Sequence, residues 1–341
     1  MAEGLFPIDD AEAYFRQAHD NVERQGNVLR WPQCDGITEL RVDAIAYHTY
    51  DNLLVSELVT IEHSSDALAE IGIARAALLN KYATISALVA KDDAHRGRLI
   101  CRVGIFSKDR EAAKHVYAHL MCTEALVIGW QAAMLVRNQF QIDPAQSPLM
   151  RTDDPPPFQS TDFLAAKAYS DHLGLVGSAG DGYYTCEFPW DPGAASNLFH
   201  HLREQFLASG EFTSEELDRL SGRTILFWAT STVPHPLYGN GVLCRLEIPL
   251  PLAGTDAAKL VNRLNRWELK RPDFPPLYGA WCIGNRAPTF VSFVPNQYCL
   301  PGLLQNLTAW ALQRALRVQA LLAEDIDSGD WLDGLEQLAP Q

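Results

Sequence analysis

The sequence predicts an α+β protein of two repeated units, each a helix, three strands, a helix, two strands and a helix built on an antiparallel sheet. Three observations carry this. The order of amphipathic and β-rich segments before residue 143 recurs after residue 158. A proline-rich stretch at 143–157, where neither helix nor central strand can continue, separates the two runs. The 341 residues, 47% hydrophobic and 21% charged, are enough for two cores of ordinary size. The expected organisation is a first unit at 1–142, a linker at 143–158, a second unit at 159–325 and an acidic tail at 326–341.

Each unit opens with a helix. Residues 9–24 bring Tyr14, Phe15, Ala18 and Val22 to one face, and 161–175 do the same with Phe163, Leu164, Ala168 and His172. Two strands rich in β-branched and aromatic residues follow, at 27–31 and 39–47 in the first copy and at 182–188 and 224–230 in the second. The glycine-rich 177–182 reads as a flexible turn, because a phosphate-cradling loop follows a strand and opens a helix, and this one precedes a strand. A further turn leads to the third strand: 48–52 before 53–62, and 235–241 before 242–250. Both turns carry His, Tyr and Asn in that order. Asn240-Gly241 signals a tight hairpin, since both residues tolerate positive φ, whereas Asn52-Leu53 predicts a looser one.

An amphipathic helix comes next at 66–79 and 255–268, then two strands at 84–90 and 98–106, matched by 279–283 and 289–294. The closing helices show a period near 3.6. One runs through Val116, Leu120, Val127, Trp130 and Met134, the other through Leu303, Leu307, Ala311, Ala315, Val318 and Leu322. The second copy also carries an insertion at 191–222, read as helices at 194–208 and 214–220, and the tail ends in a helical turn near 331–338.

The formal net charge of −14 argues against DNA, RNA and anionic membranes as partners, because such surfaces attract clustered Lys and Arg. Seven cysteines without a C-x-x-C pair read as reduced thiols of a cytoplasmic protein. The first residues lack a basic, apolar signal, and no apolar run approaches the roughly 20 residues of a membrane span. His115 and His119 lie four apart on a helix with Cys122 and Glu124 behind them, a spacing that can grip a metal from one face. Yet Val116 stands where a metalloprotease has Glu, and the matching helix has no His. Serine-hydrolase elbows and a Walker lysine are missing. The sequence therefore assigns no catalytic residue, no metal ligand and no cofactor. His48 and His235 occupy matching turns and read as turn-capping residues.

The aromatic and proline residues are the better candidates for a binding surface. Phe188 and Trp190 sit in one such cluster, Trp31 and Pro32 at the matching site of the first copy, and Leu237 and Tyr238 in the 235–241 turn. The competing reading of a Trp at a strand end is packing on the core.

The chain order over 9–137, and again over 161–324, resembles the type III secretion chaperones and the related YbjN-like proteins. The resemblance covers most of the chain twice and is one of pattern, without a short diagnostic motif. Single-unit members of that superfamily pair as homodimers and bind extended segments of client proteins. The resemblance thus implies a monomeric, intramolecular pseudo-dimer that is not an enzyme and holds a protein or peptide client by strand addition and apolar sheet pockets. Two other readings stand beside it: an enzyme with a pocket between the units, and a structural adaptor in a larger assembly.

Overall fold

A computed structural model describes residues 5–48, 54–83, 85–91, 96–106, 111–137, 158–188, 224–235, 238–250, 254–270, 279–284, 287–299 and 302–327. The linker at 143–157, the inserted helices and the terminal turn expected near 331–338 lie outside them. The described residues form an α+β protein with seven α-helices and two six-stranded antiparallel sheets in two similar halves. The chain divides into two compact units: Met1–Gln146 with Asn265–Ala280, and Ser147–Leu264 with Trp281–Gln341.

The first unit runs α1 (Ile8–Ala18), β1 (Glu23–Gln25), β2 (Val28–Gln33), β3 (Gly36–His48), β4 (Leu54–Ser65), α2 (Asp66–Ala69), α3 (Ile73–Ala83), β5 (Ala87–Val89), β6 (Arg98–Phe106) and α4 (Glu111–Arg137). Its sheet has the order β1-β2-β3-β4-β6-β5. Alternation along the strands puts Leu29, Leu40, Ile61 and Cys101 in one cross-strand row and Trp31, Thr38, His63, Leu99 and Leu88 in the next, all buried. α4 packs on β3, β4 and β6. By length and composition its Leu120–Arg137 stretch could cross a bilayer, but 61% of that stretch is buried within the protein, as in a core helix.

The second copy runs α5 (Ser160–His172), β7 (Val176–Gly180), β8 (Tyr183–Phe188), β9 (Ile225–Thr230), β10 (Gly241–Glu247), α6 (Gly254–Lys270), β11 (Ala280–Ile283), β12 (Pro288–Pro295), a short 3-10 turn (Asn296–Tyr298) and α7 (Leu303–Asp327), with Asn265–Ala280 belonging to the first compact unit. Its sheet order, β11-β12-β10-β9-β8-β7, read from β7 is the order of the first sheet. The duplication expected from the sequence is therefore present in the strand order itself.

Several expectations need correction. Each copy has four strands before its middle helix, where three were expected. The extra ones, β1 and β7, are the first arms of two-residue hairpins closed by Gln25 and Val28 and by Gly180 and Tyr183. A glycine supplies the left-handed residue of each turn, Gly26 at φ 60 and Gly182 at φ 73. Residues 177–182 are thus strand as far as Gly180 and turn at Asp181 and Gly182. The opening helix ends at Ala18, short of residue 24, because the chain there enters β1. The single helix expected at 66–79 is two, α2 and α3, with Gly72 between them. Asn240-Gly241 is no hairpin turn. His235 and Gly239 exchange backbone hydrogen bonds of 2.7 and 2.9 Å, Gly239 takes the positive φ of 71, and Gly241 already opens β10.

Candidate binding site

A sheet edge exposes backbone groups in strand spacing, and proteins usually blunt it. The first sheet ends on β1 and β5. β1 has three residues and carries Arg24, whose guanidinium pairs with Asp9 and with Glu12 at 2.7 Å; β5 is buried throughout. β11, at one end of the second sheet, is also largely buried. β7, at the other end, has none of these protections. Val176-Gly-Ser-Ala-Gly180 contains no charge and no proline, and every residue is at least partly exposed.

Hydrogen-bond parity fixes which groups face outward. The amide of Ser231 donates to the carbonyl of Gly182 at 3.0 Å, so in the β8–β9 register Tyr184, Cys186 and Phe188 turn their backbone groups towards β9. Tyr183, Thr185 and Glu187 therefore face β7, where they meet Gly180, Ser178 and Val176. Gly177 and Ala179 are left with their N–H and C=O groups directed away from β8. Among the described residues no strand pairs with that side.

The sheet face beside this edge mixes exposed apolar side chains with charged ones. Val176, Glu187, Leu226 and Glu247 form one cross-strand row, and Ser178, Thr185, Trp228 and Arg245 the next. Val176 is 69% exposed, Tyr183 41% and Leu226 39%, and the Arg245 guanidinium lies 5.2 Å from the centre of the Trp228 ring. In the first sheet the row that corresponds to Thr185 is charged throughout, Arg30, Glu39 and Glu62, with Arg98 3.1 Å from Glu62, whereas the row that corresponds to Glu187 is Pro32, Ile37 and Ser64.

The first unit offers a cavity of about 410 Å³ around the β2–β3 turn, lined by residues including Cys34, Asp35, Gly36, Ser64, Asp66 and Arg96. Below it lies a buried polar chain. Gln33 Oε1 accepts from the Gly129 amide at 3.2 Å and from the Thr38 hydroxyl at 2.6 Å, while its amide nitrogen donates to the Leu126 carbonyl. The hydroxyl proton of Thr38 being spent on Gln33, the 2.9 Å contact of Thr38 Oγ1 with His63 Nδ1 takes its proton from the imidazole. His63 is thus the neutral Nδ1–H tautomer, with Nε2 beside Gly36, and burial lowers its pKa to about 4. Partial burial, and then Asp35, push the Cys34 thiol up, the reverse of an activated nucleophile.

Of the six binding residues expected from sequence, four are among the described residues, and three of those four are buried. Trp31 is 1% exposed and stacks on Phe15 at 4.6 Å; Phe188 is fully buried on Phe227; Tyr238 is buried against His235. Pro32 is exposed. Trp190 and Leu237 lie outside the described residues. Counted from the hairpin turns, moreover, Trp31 corresponds to Cys186, and Gln33 to Phe188. His235 sits in its turn, buried, with the Tyr238 and Phe293 rings each 5.0 Å away. The side chains of His48, His115 and His119 lie outside the described residues. Among the described residues no group of three or more His, Cys, Asp and Glu could hold a metal ion. Burial pushes the Cys122 thiol up to about 12, and Glu124 accepts the Ser86 hydroxyl.

The β7 edge is the feature that sequence reasoning missed. Its signal was there to find: six uncharged residues between Gly174 and the Asp181-Gly182 turn, with the alternating β8 directly after it. No protein-family model, curated protein or solved structure matches the chain.

Proposed function

We propose that this chain is a non-enzymatic binding protein that holds an extended polypeptide segment by strand addition at β7, a chaperone-like module of the kind implied by its resemblance to the type III secretion chaperones and YbjN-like proteins. The observation that carries the reading is the β7 edge, with which no strand pairs among the described residues and where Gly177 and Ala179 present four backbone groups in the spacing an incoming strand requires. The exposed Val176 and Tyr183 next to it support the reading further, since side chains of an added strand would meet them. A tandem of two such units in one chain stands where single-unit members pair as homodimers. Seven free cysteines fit a reducing, cytoplasmic setting.

The test is a titration of the isotope-labelled chain with a Thr- and Val-rich peptide of about eight residues. The expected result is a shift and slower hydrogen exchange at the amides of Gly177 and Ala179, with no binding by an N-methylated peptide. Ala179→Pro abolishes binding without unfolding the hairpin, because the amide it removes points away from β8. Full binding by that variant, or unchanged exchange at both amides, overturns the reading.

A further inference from the structure

The carboxylates that bracket β7 select the chemistry of what it binds. Asp171 lies in the last turn of α5 just before the strand, Asp181 in the hairpin turn just after it, and Glu187 directly across from Val176 on β8; all three are exposed. Their hydrogen bonds leave their charge in place: Asp181 accepts from the Ser160 hydroxyl at 2.6 Å and Glu187 from the Thr224 hydroxyl at 2.8 Å. The cations nearby are Lys167, 2.6 Å from Asp171, and Arg245, on the same sheet face as Glu187. The strand itself carries no charge. An uncharged edge with acids at both ends and a net charge of −14 for the whole chain attracts a segment of opposite sign and repels a second copy of itself.

We infer that the β7 edge takes a short uncharged β-strand flanked by basic residues, in a client protein or peptide. The inference rests on the strand-addition reading and adds the sign of the client. Backbone hydrogen bonds at Gly177 and Ala179 supply sequence-independent affinity, and the flanking Lys or Arg side chains reach Asp171, Asp181 and Glu187. The edge of the first sheet lacks this arrangement, since Arg24 caps β1 with its own ion pairs. The two copies have therefore diverged in role, and only the second binds.

Three peptides with one Thr- and Val-rich centre and Lys, Ser or Glu at both ends test this on the full-length chain by fluorescence polarisation at low and high salt. The expected order is Lys over Ser over Glu, with a three- to tenfold step for the Lys ends, on the order of one or two exposed ion pairs. That step shrinks in high salt, and Glu187→Lys on the exposed face removes much of it. Equal affinity for all three peptides, lost in Ala179→Pro, overturns the charge selection and leaves strand addition standing. Failure of all three to bind overturns both. Tight binding of the Lys-ended peptide by Ala179→Pro also overturns the inference, because attraction alone would then account for it.

Discussion

His63 and His235 show how two residue environments set a pH dependence for the whole protein. Burial lowers the folded pKa to about 4 for His63 and about 3 for His235, against 6.5 when exposed. Above pH 6.5 both imidazoles are neutral in either state. Below it the unfolded chain takes up protons that the folded one refuses, so stability falls as pH drops from 6.5 towards 4. At about 1.4 kcal/mol per pH unit, His63 alone accounts for a loss on the order of 3 kcal/mol over that window. Urea unfolding midpoints at pH 7.5, 6 and 5 should fall in that order, and His63→Gln should flatten the trend; a slope unchanged in the variant assigns it elsewhere. Gly36 is set by the same imidazole. A Cβ there would stand 2.3 Å from the Ser64 carbonyl oxygen and 2.7 Å from His63 Nε2, and the first cannot move without shifting β4. Gly36→Ala should therefore destabilise by roughly 2 kcal/mol or more through strain in the packed core, read as a lower urea midpoint, whereas a midpoint equal to wild type would mean the β3–β4 pairing adjusts freely.

The β2 and β8 hairpins show, at the level of elements, what the sequence made legible. Trp31 lies on the inner face of β2, stacked on Phe15 and 5.9 Å from His19, and its indole nitrogen is buried without an acceptor among the described residues. Trp31→Ala should cost about 3 to 5 kcal/mol, the usual range for emptying a large aromatic site. Trp31→Phe should cost far less, because the ring stacking persists and an unsatisfied donor disappears. Comparable losses for the two would place the importance of Trp31 in its N–H. The alternation that makes Trp31 inward was readable from 28–33, as were nine other strands and every long helix, because each carries a period of 2 or 3.6. β1 and β7 were not readable. Glu23, Arg24 and Gln25 are exposed on both faces, and β7 is small and glycine-rich, so neither shows an apolar stripe. The same lack of side-chain signal hid the candidate site, since what β7 offers is backbone. The tryptophans drew attention by type, and type alone does not separate an interface anchor from a core residue.

At the scale of the molecule, chain order and physical units differ. Residues 265–280 lie within the second copy in sequence, yet Asn265–Ala280 belongs to the first compact unit. The bonds that place it there are specific. Arg102, buried on β6, donates to the carbonyls of Glu268 and Leu269 in the last turn of α6, where a cation also meets the negative end of the helix dipole. Arg266 donates to the Ala90 carbonyl at 2.8 Å, and the Gly279 amide to the Ile85 carbonyl at 2.8 Å. A repeat detected by pattern suggests a cut near residue 146, but that cut takes these partners from the buried Arg102 guanidinium. A buried charge left without its partners costs several kcal/mol, comparable to much of the stability of a small domain. The fragment Met1–Gln146 should therefore unfold at markedly lower urea than any transition of the full-length chain, and adding a peptide spanning 265–280 should raise its midpoint in proportion to the logarithm of peptide concentration. A fragment as stable as the intact protein, and indifferent to the peptide, would show that the first copy folds on its own sequence and that Arg102 is held by bonds worth little.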